Sequence, residues 1–493
     1  MTAVPSPAAD PAVRVILWFD TEDYLLPASD DAAARLAALL TARGIRATFK
    51  VVGEKARVLE RRRRTDVITA LARHDIGYHT DLHSVHPTPA EYLAEAGWHD
   101  GVAEFVRRER AGADDVRRIF GVPHVSTYGQ PGSSWAPQAV AALPQVGIAT
   151  AEGVSTYVDE GSHVGFDDRP FWYAGVLHVF NMGANGTRMP LHEPGGYEAG
   201  REAFAAIHDR VRREGGGLVS IYYHPAEWVH EEFWDAVNFR RGANPPREAW
   251  QPPPQLPAAA TEAAFARFER YVDAMRSLPG VIFVTASDLP RLYGNQVMEE
   301  GVDAATVRDI ARRIADAPAL DALRDREGRW ISPAEQFDVL VSYVAAGIAD
   351  GRLPATVPVR PLLGPPQVPP AAEALDLPWP AMRDLVVDTA AALRAHRQMP
   401  ARLFAGPRAL APADVLRATA HVVLTADRGG PAPAWPAQVH VPAGTRVLTE
   451  RHVADDTPDL FGGWIIHPEG FRAPRIVELA RLQAWTLKPA DGR

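Results

Sequence analysis

The chain contains no cysteine among its 493 residues. This absence excludes disulfide bonds, thiolate zinc sites and a cysteine nucleophile. The sequence also lacks an apolar run of the length that crosses a bilayer, so no membrane span is expected. Residues 1–13 are rich in proline and alanine, and they have neither the basic start nor the apolar segment of a secretory leader. The sequence as given therefore predicts a cytoplasmic protein.

The chain also has fewer basic than acidic residues. Its 52 lysines and arginines against 61 aspartates and glutamates give a formal net charge of −9. The one dense basic run, residues 61–64, fits a solvated helix face, and nucleic acid is not expected as a partner. With 46% hydrophobic residues, the chain can form more than one globular core. A shift to segments rich in alanine and proline places the expected boundary near residue 295. This predicts a first domain at 14–295 and a helical accessory region at 296–493.

Short apolar runs alternate with helical stretches over the first 290 residues. Strands are predicted at 14–19, 47–52, 75–78, 125–128, 148–149, 177–180, 218–223 and 281–284. Helices are predicted at 30–43, 67–73, 92–120, 198–214 and 261–278. This alternation indicates an α/β fold in which helices cover a mostly parallel sheet, and the number of elements suits a barrel. The proline-rich stretch 238–257 is expected to form an extended loop over the mouth of that barrel.

Two histidines four residues apart, His79 and His83, follow the third predicted strand. On one face of a helical turn, both imidazoles could bind one divalent ion, and an acidic residue at the end of the first strand could supply an oxygen ligand. Catalytic groups of α/β barrels lie at such strand ends. The sequence therefore predicts a metal site with an open position for water. Zinc is the preferred ion, although manganese, cobalt or nickel suits the same ligands.

Four segments occur in the order in which they resemble motifs of the polysaccharide deacetylases, the NodB-type domain of carbohydrate esterase family 4. They are residues 17–24 (LWFDTEDY), 47–53 (ATFKVVG), 76–83 (IGYHTDLH) and 221–225 (IYYHP). The resemblance covers residues 14–290 and implies a distorted (β/α) barrel, to which the sequence adds a smaller, mainly α-helical C-terminal region. It also implies a metal-dependent hydrolase that removes an acyl group, expected to be acetyl, from an amide nitrogen of a sugar or polysaccharide.

The resemblance assigns roles to individual residues of this chain. It implies that Asp20 is the catalytic base, that His79, His83 and either Glu22 or Asp23 bind the metal, and that His224 is the acid. General chemistry agrees with this set. Amide hydrolysis near neutral pH requires an activated water, a carboxylate to accept its proton, a cation to stabilise the oxyanion and a donor for the leaving amine.

The sequence also departs from the family pattern. A threonine separates Asp20 from the Glu22–Asp23 pair, so the choice of carboxylate ligand stays open. The arginine that normally opens the third motif, where it orients the base, is missing from residues 128–132 (YGQPG). Gln130 or Arg188 is expected to replace it. These departures leave two alternatives: a carbohydrate-binding protein that has lost turnover, and a small-amide or ureide hydrolase on the same barrel.

Further residues are predicted to contact the substrate. Trp135, Tyr223 and Trp228 could stack on sugar rings, and Gln130 could bind polar groups; packing inside the core is the alternative for the three aromatic residues. In the C-terminal region, two weak repeats at about 331–365 and 377–423 each contain a helix that ends before a proline. They are faintly similar to pseudomurein-binding repeats, which would imply attachment to a cell-wall polymer, and general helical packing is the alternative. The aromatic segment 464–471 is expected to serve domain packing.

Overall fold

The computed structural model describes residues 11–371, 373–427 and 432–492. Residues 1–10, on which most of the expectation about a leader rests, lie outside the described residues. The strands of the first part are β1 (Val13–Thr21), β2 (Thr48–Val51), β3 (Asp75–Tyr78), β4 (Thr127–Tyr128), β5 (Thr156–Val158), β6 (Phe171–Tyr173), β7 (Val176–Val179), β8 (Gly217–Tyr223) and β9 (Val281–Val284). Its helices are α1 (Pro27–Ala42), α2 (Gly53–Arg61), α3 (Thr65–Leu71), α4 (Pro89–Leu93), α5 (Trp98–Phe120), α6 (Pro137–Val146), α7 (Gly196–Arg213), α8 (Trp234–Phe239), α9 (Ala258–Arg276) and α10 (Leu289–Leu292).

The second part contains shorter strands. They are β10 (Val302–Asp303), β11 (Ala319–Leu320), β12 (Leu323–Arg324), β13 (Trp330–Ile331), β14 (Thr356–Val357), β15 (Leu375–Pro378), β16 (Leu403–Ala405), β17 (Arg408–Leu410), β18 (Gln438–Val441), β19 (Arg446–Val447) and β20 (Lys488–Pro489). Its helices are α11 (Gln296–Glu300), α12 (Ala304–Asp316), α13 (Pro333–Asp350), α14 (Trp379–His396), α15 (Pro412–Ala426), α16 (Pro458–Gly462) and α17 (Pro474–Gln483). Within the described ranges, no helix is both long and apolar enough to cross a membrane.

Ten of the described strands form one sheet in the order β20-β6-β7-β5-β4-β3-β2-β1-β8, with β9 beside the first half of β1. The pairs from β7 through β5, β4, β3, β2 and β1 to β8 are all parallel, and only β6 and β20 run antiparallel to their neighbours. β1 pairs with β9 through its first residues and with β2 through its last ones. Helices surround this curved sheet, so the predicted distorted (β/α) barrel is confirmed.

The alternation of side chains along β1 decides which residues face the barrel interior. Leu17 and Phe19 pack into the large core beneath the helices, whereas Ile16 and Trp18 belong to a separate interior cluster. Because successive side chains of a strand point to opposite faces, Asp20 follows Trp18 into the interior. Both faces of β1 are buried, which explains its almost continuous apolar sequence.

The division between the two cores differs from the predicted boundary. A second core is formed by residues between 297 and 447, together with Trp485. Residues after 447 return to the barrel: Phe461, Ile476 and Leu487 belong to its large core, and β20 pairs with β6. The predicted accessory region 296–493 therefore contains a central module with its own core and a final segment that completes the barrel.

The module between the barrel and the final segment has an internal repeat, but in a different register from the predicted one. β10 and β14 pair with each other and enclose α12, the hairpin β12–β13 and α13. β15 and β18 pair likewise and enclose α14, the hairpin β16–β17 and α15. The equivalent helices are thus α13 and α15, whereas the sequence pattern predicted that α13 and α14 are equivalent.

Candidate metal centre

Several polar side chains gather in the barrel interior where the parallel strands end. Asp20 lies near the end of β1, His79 follows β3 directly, and His224 follows β8 directly. Glu22 comes just after β1, and His83 is supplied by the loop after β3. Four of these five residues are almost completely buried, and His224 is partly exposed to the cleft. The strand-end arrangement of the sequence prediction therefore brings these five residues together.

Glu22, His79 and His83 present ligand atoms that all lie within 4.8 Å of one another. The Nε2 atom of His83 is 2.9 Å from Glu22 Oε2, and the Nε2 atom of His79 is 3.6 Å from the same oxygen. His83 Nε2 is buried without a hydrogen-bond partner in the described structure, since its contact with Glu22 lacks hydrogen-bonding geometry. One carboxylate and two imidazole nitrogens are the donor set that zinc prefers. These three residues therefore fit a divalent metal ion.

Hydrogen bonds fix the other nitrogen of each imidazole. His79 Nδ1 is 3.0 Å from the carbonyl oxygen of Gly129 and donates to it. His83 Nδ1 is 2.6 Å from Ser84 Oγ, which in turn donates to Asp235 Oδ2 at 2.9 Å. Each Nδ1 therefore carries the proton, and each Nε2 is free to bind a cation. Such outer partners orient metal ligands and raise their basicity.

The two histidines do not lie on a helical turn, contrary to the sequence prediction. Residues 79–83 form a loop in which Thr80 has φ 64° and His83 has φ 57°. The Thr80 hydroxyl accepts a hydrogen bond from His83 N at 3.1 Å and donates one to His79 O at 2.6 Å. This folded loop places the two imidazole rings 4.9 Å apart. Left-handed backbone at residues other than glycine is uncommon and concentrates at functional sites.

Asp23, one of the two predicted carboxylate ligands, faces away from the histidines. Its Oδ1 accepts a hydrogen bond from Leu25 N at 2.8 Å, and its Oδ2 lies 3.3 Å from His230 Nδ1. Glu22 occupies the metal-facing position instead. The pKa of Glu22 lies well below its usual range, because His83, His224 and His79 outweigh the opposing effect of burial.

Asp20 is held by a buried lysine that the sequence analysis did not single out. Lys50 Nζ lies 2.8 Å from Asp20 Oδ1 and 2.5 Å from Asp159 Oδ2. Lys50 is fully buried; burial would lower its pKa, but the carboxylates of Asp159 and Asp20 raise it, so the ammonium keeps its proton. The other oxygen of Asp20, Oδ2, lies 3.7 Å from His224 Nε2.

The two residues that were expected to replace the missing arginine bind elsewhere. Gln130 donates to the carbonyl oxygens of Gly132 and Glu160 at 3.0 and 3.1 Å and accepts from the Tyr157 hydroxyl. Arg188 pairs with Glu227 instead. Neither has a described contact with Asp20, so both expectations about the replacement are corrected.

His224 forms a pair with Glu227. Its Nδ1 donates to Glu227 Oε1 at 2.8 Å, so Nε2 faces Asp20 and the cleft. Burial by itself would lower the pKa of His224, but the carboxylates of Glu22, Glu227 and Asp20 outweigh burial and raise this pKa to about 9. The imidazole is therefore protonated at neutral pH, as a proton donor must be.

A cleft of about 520 Å³ opens above these residues. Gln130 lines it, as predicted for a substrate-binding residue, but Trp135, Tyr223 and Trp228 do not. These three side chains are at most 2% exposed and pack in the large core, which corrects the prediction that they contact the substrate. For Tyr223 the reason is the alternation along β8, which turns its neighbour Tyr222 toward the cleft.

The aromatic side chains that line the cleft are Tyr222, Phe233 and Trp464. Trp464 belongs to the final segment of the chain, which also contributes Asp459, Leu460 and Ile465 to the wall. Several hydrogen bonds attach this segment to the barrel. Among them, Ser133 Oγ donates to Phe461 O, and the backbone N–H groups of residues 241 and 242 donate to the carbonyl oxygens of residues 465 and 466. The predicted role of residues 464–471 in domain packing thus extends to shaping the cleft. The proline-rich stretch 238–257 does not line the cleft.

The sequence contains signals for the residues that were missed. Lys50 is the only charged residue in the otherwise apolar run 47–53, and a charge in a buried strand is rarely tolerated without a partner. Asp159 and Glu160 directly follow β5, a strand that the sequence analysis did not predict because it is only 3 residues long. Paired acids at a strand end are the same type of signal that identified Glu22.

No protein-family model matches the sequence, and no match is found among curated proteins. Solved structures do align with the barrel. A candidate polysaccharide deacetylase from Mycobacterium smegmatis is 17% identical, covering 58% of this chain and 92% of that one, with a TM-score of 0.37. The Puue allantoinase is 13% identical, covering 57% and 90%, with a TM-score of 0.36. A polysaccharide deacetylase assigned in Pseudomonas aeruginosa PAO1 is 14% identical, covering 59% and 92%, with a TM-score of 0.35.

These alignments concern the first part of the chain, and the faint similarity of the C-terminal repeats to pseudomurein-binding repeats stays a prediction. Over more than half of its length, the chain is thus similar to solved structures described as polysaccharide deacetylases and as an allantoinase.

Proposed function

We propose that this protein is a metal-dependent hydrolase that removes an acyl group from an amide nitrogen of a sugar or polysaccharide. The acyl group that we propose is acetyl. The observation that carries this proposal is the convergence of Glu22, His79 and His83 beside two groups suited to proton transfer, Asp20 and His224. Zinc is the preferred ion for this donor set.

Each residue has a role that follows from its position. Glu22, His79 and His83 would hold the ion. When bound, a divalent ion would lower the pKa of water and polarise the acyl carbonyl. Asp20 Oδ2 faces the cleft and accepts the proton of the attacking water. His224 Nε2 faces the same space and donates a proton to the leaving nitrogen, because its Nδ1 is engaged by Glu227.

The lining of the cleft supports a neutral or cationic substrate over an anionic one. Glu160, Asp235 and Asp459 contribute carboxylates to the wall, and no lysine or arginine lines it among the described residues. Tyr222, Phe233 and Trp464 provide apolar faces on which a sugar ring can stack. An N-acetylated amino sugar matches this combination of apolar faces and hydrogen-bonding groups.

The test is acetate release from N-acetylated chito-oligosaccharides and peptidoglycan fragments by the zinc-loaded protein. The variant His79→Ala/His83→Ala should lose bound zinc and release no acetate. The matched control His124→Ala/His440→Ala removes two histidines outside the cleft and should behave like the wild type. Zinc that binds stoichiometrically without acetate release from any of these compounds would contradict the proposal and favour the carbohydrate-binding alternative.

A second candidate function, hydrolysis of a small amide or ureide, is favoured by the wall that the final segment adds to the cleft. Trp464 packs directly against Gly132, where a Cβ atom would lie 2.3 Å from the indole ring. This contact narrows the cleft on the side of the metal ligand His83, whose ring centroid is 6.0 Å from that of Trp464. Turnover of allantoin in the absence of acetate release from N-acetylglucosamine and from chito-oligosaccharides would support the second function and contradict the first.

A further inference from the structure

Lys50 connects the two carboxylates Asp20 and Asp159 in the barrel interior. We propose that Lys50, supported by Asp159, is the positioning residue that replaces the missing arginine: it holds Asp20 Oδ1 so that Oδ2 faces the cleft. This inference rests on the proposed function, in which Asp20 is the base. The residue that orients the base would then lie on β2, whereas the third motif begins at the end of β4.

Strand register puts the lysine beside the base. Asp20 and Lys50 are register partners on the parallel strands β1 and β2, and Lys50 is also opposite Gly77 on β3. Neighbouring residues on one face of a sheet have side chains within contact distance. The ammonium therefore reaches Asp20 without a long or flexible connection, and its position is set by the backbone of the barrel.

The ammonium group has three described partners. Besides the two carboxylates, it lies 4.1 Å from the ring centroid of Trp18, on the face where a cation is attracted. Asp159 is fixed in turn, because its Oδ1 accepts a hydrogen bond from Glu160 N at 2.7 Å. These three partners restrain the ammonium. Its 2.8 Å ion pair is in turn the contact that restrains Asp20 Oδ1, which has no hydrogen-bond partner in the described structure.

Two glycines provide the space that the lysine requires. A Cβ atom on Gly129 would lie 2.0 Å from Lys50 Nζ and 2.2 Å from Asp159 Oδ2, and one on Gly77 would lie 3.0 Å from Lys50 Cγ. Neither glycine has a positive φ. Their small size, and not an unusual backbone conformation, is therefore what the site needs. Gly77 and Gly129 thus leave the space that the Lys50 side chain occupies.

Without the lysine, Asp20 and Asp159 would face each other as two buried carboxylates. With no ammonium between them, no partner would hold Asp20 Oδ1, and Asp20 would be free to rotate away from its position. Such a rotation removes a correctly placed base. A shift of about 1 Å in a catalytic group can lower turnover by about 100-fold.

The test compares Lys50→Met, Asp159→Asn and the double variant, with Lys488→Met as the matched control. Lys488 is a buried lysine that pairs with Glu335 at 2.7 Å and does not line the cleft. Lys50→Met should lower kcat by about 100-fold with little change in KM or zinc content. Lys488→Met should lose stability without losing turnover. Full turnover of Lys50→Met would overturn the inference and leave the proposed function intact.

The double variant separates positioning from charge balance. If Lys50 only neutralised Asp159, then removing both charges in Lys50→Met/Asp159→Asn would restore turnover. The inference predicts that the double variant stays impaired, because Asp20 has still lost the ammonium that holds it. Gly129→Ala gives a second way to displace Lys50 should Lys50→Met fail to fold, and unchanged turnover in Gly129→Ala would also count against the inference.

A crystal structure of the double variant provides a readout that does not depend on activity. The expected result is an Asp20 carboxylate that has rotated away from its wild-type position. An unchanged Asp20 would overturn the positioning role. If the wild type hydrolyses no amide, the proposed function is wrong. The comparison of Asp20 between the wild-type and double-variant crystal structures still decides whether Lys50 positions Asp20.

Discussion

The substitution Glu227→Gln should move the alkaline limb of the pH profile to lower pH. Glu227 Oε1 accepts two hydrogen bonds from His224, from Nδ1 at 2.8 Å and from the backbone N–H at 2.9 Å. Glutamine can keep an acceptor oxygen at this position, so the imidazole stays oriented while the negative charge is removed. Because an adjacent carboxylate typically raises the pKa of a histidine, losing its charge should lower the pKa of His224 by about one to two units.

The sign follows from the role of His224 as an acid. The group must be protonated to act, so kcat/KM falls as the pH rises through its pKa, which lies at about 9 in the wild type. At pH 9 the variant should lose about 5- to 50-fold relative to wild type, whereas at pH 6.5 the two should differ little. A bound cation shifts both proteins alike, so the difference between them is the quantity to measure.

The assay is kcat/KM for acetate release between pH 6 and 10.5, with Glu262→Gln as the control. Glu262 is an exposed carboxylate paired with Arg35, away from the cleft. A Glu227→Gln profile with the same alkaline limb as wild type, lowered by the same factor at every pH, would refute the assignment of His224 as the acid that Glu227 tunes.

Three further substitutions test other parts of the structure. Ser84→Ala breaks the link from His83 to Asp235, and isothermal titration should show zinc binding weakened by about 10- to 100-fold; an unchanged Kd would show that this link does not orient His83. Trp464→Ala should raise turnover of longer chito-oligosaccharides relative to the disaccharide, since it removes part of the cleft wall, and an unchanged ratio would contradict that role. Phe461→Ala should destabilise the barrel by about 3–4 kcal/mol in urea unfolding, because its side chain is fully buried in the barrel core; an unaffected barrel transition would contradict the joint core.

The strand-end residues could be predicted from the sequence because parallel strands bring distant segments to one edge. Glu22, His79 and His83 are recognisable as metal-binding types that lie within five residues of a predicted strand end. Their detailed geometry could not be predicted, because it depends on a loop conformation. The spacing of His79 and His83 suits a helical turn, but the actual loop depends on hydrogen bonds of Thr80 and on left-handed backbone at two residues.

The aromatic residues show a different limit of sequence reasoning. Tyr222 and Tyr223 are adjacent and equally able to stack on a sugar, yet only Tyr222 lines the cleft. Side chains of β8 point alternately to the cleft and to the core beneath the helices. Packing against the helices decides which of the two tyrosines faces the core. Lys50 is a different case. The sequence predicts its strand correctly, and a charge inside a buried strand implies a buried partner of opposite charge, but the sequence does not tell which residue that partner is.

The sequence predicted a repeat that relates α13 to α14, because each of these helices is followed by a proline that stops it. The structure shows a different correspondence. The hairpins that precede α13 and α15 identify the true correspondence, and both of these helices begin with proline, alanine and an acidic residue. Short hairpins of 2 or 3 residues per strand give little periodicity to detect.

The return of the final segment to the barrel bears on the order in which the protein folds during synthesis. The barrel core includes Phe461, Ile476 and Leu487, which leave the ribosome almost last. The module with its core between residues 297 and 447 is available earlier and needs only Trp485 from the end of the chain. We therefore expect the middle of the chain to fold before the barrel that precedes it is complete. A chain stopped at residue 295 would leave an apolar surface on the barrel with nothing to cover it.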